Sequence, residues 1–128
     1  MKKLTKALAV FSMMGSWMAG TQALAEPFKV GVCYDLSKAY TFATPQVSQA
    51  AMDVAKLINM QGGIGGEPVE VIVRDHGNEP QRGIECYSRL SREGVFVFDT
   101  LSTPVSLAIL PRAMEDGRIL MQSLVGRG

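Results

Sequence analysis

Segments with strand-like and helix-like periodicity alternate along the chain. Four short segments are apolar, and the three longer segments between them repeat apolar residues at the spacing of an amphipathic helix. The predicted strands are 28–34, 69–74, 95–98 and 119–121, and the predicted helices are 45–60, 80–93 and 103–116. This order predicts an α/β fold, in which a parallel sheet with right-handed crossovers carries helices on both faces.

Two of the predicted strands differ in polarity, and the difference predicts their places in the sheet. In the segment 69–74 three valines alternate with Glu70, Ile72 and Arg74, which is typical of an edge strand. The segment 95–98 is apolar on both faces, which is typical of a strand in the middle of the sheet. The predicted strand order is therefore 2-1-3-4. An apolar fourth strand would then be unpaired on its far side, which is unfavourable, so we expect further sheet to follow Gly128.

The N-terminal residues have the pattern of a cleavable secretory signal. Three lysines precede an apolar run from residue 7 to 19, which is too short to span a bilayer comfortably, and Ala-Leu-Ala at 23–25 has the small residues that signal peptidase requires. We expect residues 1–25 to be removed by a cut between Ala25 and Glu26, which predicts a periplasmic protein. An N-terminal membrane anchor is the alternative.

The charge balance excludes some classes of partner. The full chain carries 13 Lys+Arg and 12 Asp+Glu, a formal net charge of +1. Removing the predicted signal takes away three lysines and no acid, which leaves ten basic residues against twelve acidic ones and a net charge of −2. A slightly acidic chain favours neither nucleic acid nor an anionic membrane surface.

The signals for catalysis, metals and cofactors are weak. The glycines between 62 and 66 follow a helix and lack the Lys-Ser/Thr of a phosphate loop, so they indicate a turn. Asp75 and His76 are adjacent, but no nucleophile is placed to use them, and one histidine with two distant cysteines makes no metal cluster. We therefore predict no enzymatic activity, no metal site and no cofactor.

The two cysteines are candidates for a disulfide. Cys33 lies in the first predicted strand and Cys86 in the second predicted helix, which crosses over that strand in a 2-1-3 order. An exported protein reaches a compartment where disulfides persist. A pair of buried free thiols remains the alternative.

Three stretches resemble a known family: FKVGVCYDLS, INMQGGIGGEPVEVIVRDHGNEPQRGIECYSRL and STPVSLAILPRAMEDGRILM. They resemble the periplasmic leucine/isoleucine/valine-binding family over residues 28–128, and the most specific part is 59–74. The resemblance implies that residues 26–128 are the incomplete N-terminal lobe of a two-lobed, hinged protein. It also implies the function: the protein would be the substrate-binding component of an ABC importer for branched-chain amino acids or related carboxylate or amide solutes. The resemblance further implies a monomer that works with membrane permease subunits. A periplasmic ligand-sensing receptor and a small α/β enzyme are the alternatives.

The resemblance places the ligand between the lobes, at the carboxyl ends of the strands, where open parallel sheets also bind ligands. Ser102 and Thr103 are the leading candidates, because their hydroxyls lie beside free backbone N–H groups at a helix start, where a carboxylate is favoured. Similar proteins hold an amino-acid carboxylate in this loop. The other candidates are Ser37, Tyr40 and Ser123. Thr103 could instead act only as a helix cap, and Tyr40 could simply pack on the surface.

The loop after the fourth strand departs from the family pattern. The family often places small hydroxyl residues there, whereas this chain has Ser-Leu-Val-Gly-Arg at 123–127. The departure leaves an aromatic acid, an amide or a urea-like solute open beside branched-chain amino acids. Because the second lobe would supply half of the contacts, we expect little affinity from this chain alone.

Overall fold

The computed structural model describes residues 26–123. The predicted signal peptide with its cleavage site, and the end of the tail, lie outside the described residues. The elements are β1 (Phe28–Tyr34), α1 (Thr44–Met60), β2 (Val69–Asp75), α2 (Pro80–Arg92), β3 (Val97–Thr100), α3 (Thr103–Glu115) and β4 (Ile119–Gln122). In the described part of the chain, no helix is both long and apolar enough to cross a membrane.

The strands form one parallel sheet in the order β2-β1-β3-β4, which confirms the predicted order. In its register Val30 of β1 lies opposite Val71 of β2 and Val97 of β3, and Val97 lies opposite Ile119 of β4. Partners in a parallel ladder share a face, so these four residues point to the same side of the sheet.

Helices cover both faces of the sheet, as predicted. Val32 and Tyr34 of β1 point toward α1 and pack with Leu101. The alternate residue Cys33 points toward α2 and α3, where it joins a second cluster with Leu90. The other buried members of that second cluster are Cys86, Tyr87, Val95, Phe98, Val105, Ile109 and Ala113.

The third strand begins two residues later than the sequence predicts. Val95 lies in the turn that ends α2, and its N–H donates to the carbonyl of Leu90 at 3.0 Å. The turn is possible because Gly94 has a φ of 86°. The strand instead extends through Asp99 and Thr100. Both polar side chains are buried there because hydroxyl groups bind them.

The inner face of α1 is also more polar than predicted. The prediction placed Val47, Ala50, Ala51, Val54 and Ile58 on the inner face, but Val47 and Val54 are 36% and 55% exposed. The buried positions of the helix are Thr44, Ser48 and Ala55. The hydroxyl of Ser48 is satisfied inside the helix by the carbonyl of Thr44 at 2.7 Å, so it can be buried without an external partner.

Cys33 and Cys86 form a disulfide in the structure. The bond joins the carboxyl end of the inner strand β1 to α2, with a Cα–Cα distance of 6.5 Å. Both residues are buried, at 0% and 7% exposure.

Candidate functional site

The four strands end side by side at one edge of the sheet. Tyr34 and Asp75 pair at the ends of β1 and β2, and Thr100 at the end of β3 pairs with both Cys33 and Gln122. The loops after the strands therefore lie together at this carboxyl edge, which is the usual ligand-binding edge of an open α/β sheet.

A buried carboxylate organises the loop after β1. Asp35 is 1% exposed, and its oxygens accept the backbone N–H groups of Ser37 at 3.2 Å, Lys38 at 2.7 Å and Tyr40 at 3.0 Å. Burial alone would raise the pKa of Asp35, but these N–H groups stabilise the ionised form and hold the pKa below its ordinary value. The loop that carries the candidates Ser37 and Tyr40 is thus built around this charge.

A second carboxylate joins the β1 loop to the β2 loop. Asp75 accepts the backbone N–H of Leu36 at 2.9 Å, the hydroxyl of Ser37 at 2.8 Å, the N–H of Gly77 at 2.8 Å and the Arg82 guanidinium at 3.0 Å. Burial opposes the charge, yet the hydrogen bonds lower the pKa of Asp75 to about 2. Because the Ser37 proton is used on Asp75, this hydroxyl offers only acceptor capacity to a ligand.

The β2 loop contains a fully buried histidine. His76 is 0% exposed, and its Nδ1 accepts the backbone N–H of Asn78 at 2.9 Å. Burial lowers the pKa of His76, against the opposing effect of the nearby Asp35 and Asp75 carboxylates and with a smaller contribution from Arg82. The neutral ring therefore holds Asn78 in the left-handed conformation, with a φ of 56°.

This arrangement predicts that acid destabilises the protein through His76. Because the folded pKa lies below the unfolded value of about 6.5, the unfolded state binds more protons, so the free energy of unfolding falls as the pH drops below 6.5. The slope should approach about 1.4 kcal/mol per pH unit. Urea unfolding at pH 7.5 and pH 5 measures it, and His76→Gln should flatten the profile in this window. An equally steep profile in the variant would contradict the assignment.

Asn78 connects the β2 loop to the leading candidate Ser102. The hydroxyl of Ser102 donates to Oδ1 of Asn78 at 2.6 Å, and Ser102 is 1% exposed. Ser102 is the residue that precedes α3, and its side chain makes no capping hydrogen bond to the helix. Pro104 has no N–H and the N–H of Ser106 donates to the Ser102 carbonyl at 2.8 Å, so the N–H groups of Thr103 and Val105 are the ones that keep their donor capacity at the start of α3.

Thr103 is the first residue of α3 and is half-buried. The cap position belongs to Ser102, so the interpretation of Thr103 as a cap is wrong. The hydroxyl oxygen of Thr103 accepts the side-chain amide of Gln122 at 2.9 Å, which joins the loop after β3 to the end of β4. The Thr103 proton is then free to donate to a ligand.

Ser123 and Tyr40 face a different part of the edge. The Ser123 hydroxyl donates to Oδ2 of Asp99 at 2.5 Å, and the Tyr34 hydroxyl donates to the same oxygen at 2.7 Å. Burial, together with the neighbouring Asp99 carboxylate, raises the pKa of Tyr34 well above its ordinary value. Tyr40 packs against the apolar cluster under α1, and its ring lies 6.5 Å from that of Phe42.

The charged side chains of the edge are largely paired with one another. Lys38 forms an ion pair with Glu79, and Arg82 forms one with Asp75. Among residues 26–123, His, Cys, Asp and Glu side chains form no group that could hold a metal ion. What remains for a ligand is a set of neutral hydrogen-bond donors at the start of α3.

Sequence reasoning proposed Ser102, Thr103 and Ser123 but did not anticipate their hydrogen-bond partners Asn78, Gln122 and Asp99. The Gly-Asn pair after β2 is a recognisable signal, since Asn tolerates a left-handed backbone. Gln122 and Asp99 carry no such local signal, because each contacts a residue on another element.

The sequence and the geometry of the chain are similar to those of known proteins. The sequence pattern described as periplasmic binding protein matches residues 27–127. The chain belongs to the periplasmic binding protein family. The match does not distinguish the narrower leucine/isoleucine/valine-binding group from other members of this family. No protein of curated function matches the chain closely enough to count as a relative.

Solved structures of substrate-binding proteins share the fold. A fatty acid ABC transporter substrate-binding protein from Thermomonospora curvata is 28% identical, with a TM-score of 0.72 over 77% of this chain and 25% of its own. A branched-chain amino acid transporter substrate-binding protein from Streptococcus pneumoniae, in complex with isoleucine, is 21% identical, with a TM-score of 0.66 over 79% and 30%.

A third structure has an aromatic ligand. It is a solute-binding protein of an ABC transporter from Rhodopseudomonas palustris in complex with 3,4-dihydroxybenzoic acid, 21% identical, with a TM-score of 0.60 over 73% of this chain and 26% of its own. This periplasmic binding protein chain thus spans between a quarter and a third of the length of the solved structures that it matches.

Proposed function

We propose that this chain forms one wall of the solute-binding cleft of a periplasmic substrate-binding protein that delivers a small carboxylate to an ABC importer. The observation that carries the proposal is the start of α3, where the Thr103 hydroxyl and the first backbone N–H groups have protons to donate. The opposite wall would come from a second lobe. The complete protein would act as a monomer, exported by its signal peptide, and would present the closed form to membrane permease subunits.

The protons at the carboxyl edge favour a ligand rich in acceptors. The amide nitrogen of Asn78 keeps its donors while its oxygen binds Ser102, and Thr103 keeps its proton while its oxygen binds Gln122. A carboxylate can accept several such hydrogen bonds, and the positive end of the α3 dipole adds to the attraction. This balance supports a carboxylate over an amine as the group bound here.

The ligands named for the solved relatives support the same class. They are a fatty acid, isoleucine and 3,4-dihydroxybenzoic acid, which are all carboxylic acids with apolar or aromatic bodies. We propose that the lobe described here recognises the shared carboxylate, and that the second lobe recognises the body. A branched-chain amino acid is one member of the proposed class, beside aromatic and fatty acids.

The proposal is tested by measuring the weak binding of a simple carboxylate, benzoate, to this chain. One wall supplies about half of the contacts, so we expect a Kd for benzoate of about 1 mM or weaker, seen as amide chemical-shift changes in an NMR titration. The changes should centre on residues 102–106, and Thr103→Val should weaken binding at least about tenfold, because one hydrogen bond to a charged group, worth about 1.5 kcal/mol or more, is lost.

Two controls make this titration decisive. Ser88→Ala on the remote face of α2 should bind benzoate like the unaltered chain, and benzamide, which has the same ring without the charge, should produce much smaller changes. Equal changes with benzoate and benzamide, or a Thr103→Val chain that binds as tightly as the unaltered one, would contradict the proposed role of α3. Micromolar binding would contradict the need for a second wall.

A further inference from the structure

The turn after β2 has two consecutive residues with a left-handed backbone. Gly77 and Asn78 have φ values of 54° and 56°. The turn is closed by the N–H of Glu79, which donates to the carbonyl of His76 at 3.0 Å. Glycine adopts the left-handed conformation at little cost, whereas asparagine favours it less than the right-handed one. The contacts of Asn78 therefore decide whether the turn keeps this shape.

Two contacts fix Asn78, one through its backbone and one through its side chain. Its N–H donates to Nδ1 of His76 at 2.9 Å, and its Oδ1 accepts the hydroxyl of Ser102 at 2.6 Å. His76 and Ser102 are 0% and 1% exposed, so the packing around them fixes both partners. Because the Asn78 oxygen is used on Ser102, the amide nitrogen with its two N–H groups is the part left for a solute.

Stability alone does not account for a histidine at position 76. Its Nδ1 accepts a hydrogen bond, so the neutral ring carries its proton on Nε2. The Nε2 atom is buried and has no hydrogen-bond partner within residues 26–123, which costs free energy that a leucine of similar size would avoid. The feature that distinguishes histidine from leucine here is the acceptor that it offers to Asn78.

We propose that His76 is a positioning residue for the solute: through Asn78, it holds a side-chain amide beside the start of α3, where that amide donates to the solute carboxylate. The inference rests on the proposed function, because it requires a carboxylate at the start of α3. His76 is fully buried, so it acts only through Asn78.

The Asn78 amide and the Thr103 hydroxyl can serve the same carboxylate. Ser102, which binds Asn78, directly precedes Thr103 in the chain. The two oxygens of a carboxylate can accept several hydrogen bonds, so one oxygen can accept from Thr103 while the other accepts from Asn78. The cleft wall then draws its donors from the loops after both β2 and β3.

Two substitutions of His76 test the positioning role in the benzoate titration. Asparagine places its Oδ1 close to the position of the histidine Nδ1, so His76→Asn keeps an acceptor for the Asn78 N–H, whereas His76→Leu removes it. His76→Leu should weaken binding about tenfold, because the amide hydrogen bond to the carboxylate is lost, and His76→Asn should bind within about twofold of the unaltered chain. The coupling between the amide and α protons of Asn78 should report the left-handed backbone in His76→Asn and its loss in His76→Leu.

A further variant leaves the buried ring unchanged. Asn78→Asp keeps an oxygen for the Ser102 hydroxyl and replaces the amide nitrogen by a second, charged oxygen. Benzoate binding should weaken at least about tenfold, because a donor is lost and two carboxylates then repel each other. The matched control is Gln61→Glu, the same change from amide to carboxylate at the exposed residue that ends α1, and it should bind like the unaltered chain.

The outcomes separate this inference from the proposed function. If Thr103→Val weakens binding but His76→Leu or Asn78→Asp does not, the positioning role is wrong and the carboxylate wall stands without it. Equal losses in His76→Leu and His76→Asn would also overturn the inference. If the His76 variants do not fold, the unaltered chain decides, since benzoate should shift both the side-chain amide and the backbone N–H of Asn78, and unchanged signals would contradict the role. An unaltered chain that binds no benzoate would contradict the proposed function and this inference with it.

Discussion

Removal of the Cys33–Cys86 disulfide is expected to lower the free energy of unfolding by about 4 kcal/mol. The bond closes a loop across a sequence separation of 53 residues, so it restricts the unfolded chain strongly. It also ties the carboxyl end of β1 to α2 in the larger of the two apolar clusters. A loss of this size is a large fraction of the total stability of an ordinary domain.

The measurement is denaturant unfolding of the oxidised chain and of the Cys33→Ala, Cys86→Ala double variant. Reduction should shift the midpoint of the unaltered chain and leave that of the double variant unchanged. Thiol titration of the unfolded, unreduced protein should find no free thiol. Two titratable thiols, or a midpoint that reduction leaves in place, would show that the pairing contributes nothing.

Replacing Asp35 by alanine is expected to cost at least about 3 kcal/mol, since hydrogen bonds to charged groups contribute about 1.5–3 kcal/mol each and several are lost together. Three backbone N–H groups of the β1 loop would lose their acceptor. The start of α1 would also be disturbed, because the Thr44 hydroxyl donates to the carbonyl of Asp35 at 2.5 Å.

Urea unfolding compares Asp35→Ala with Asp53→Ala, an exposed residue of α1 whose carboxylate accepts a hydrogen bond from Gln49. The Asp53 variant should stay within about 0.5 kcal/mol of the unaltered chain. Because the folded pKa of Asp35 is lowered, its contribution is present above the unfolded pKa of about 4 and is lost as the pH falls through the folded value. Similar losses in the two variants at pH 7 would contradict the organising role of Asp35.

The strand order followed from the sequence because strand polarity depends on position. The charged residues Glu70 and Arg74 predicted an edge for β2, and the apolar residues 95–98 predicted an inner position for β3. The alternation of Val32 and Cys33 in β1 also divided the two apolar layers correctly. These patterns depend only on residue spacing, which the sequence states directly.

The errors arose where polar side chains are satisfied by distant partners. Apolar periodicity does not predict that Asp99 and Thr100 lie in a buried strand. They can be buried because they form hydrogen bonds with the hydroxyls of Tyr34, Ser106 and Ser123. In the same way Asn78 and Gln122 reach the candidate site through contacts between loops that are far apart in sequence. Such long-range hydrogen bonds produce no periodic pattern in the local sequence, so the sequence does not predict them.

The resemblance named the leucine/isoleucine/valine-binding group, whereas the comparisons support only the broader periplasmic binding protein family. The stretches that carry it are 28–37, 58–90 and 102–121, which build the strands and helices of the sheet. The body of the solute would be read by the loop after β4 and by a second lobe. Residues 26–123 contain little of that proposed surface, so their sequence does not distinguish among amino, aromatic and fatty acids.

The most direct test is the structure of the longer protein with its bound solute. We expect a carboxylate oxygen of the solute within hydrogen-bond distance of the Thr103 hydroxyl and of a backbone N–H in the first turn of α3, with the second lobe closed over the other side. A solute held on another surface of this lobe, or one whose carboxylate points away from α3, would contradict it.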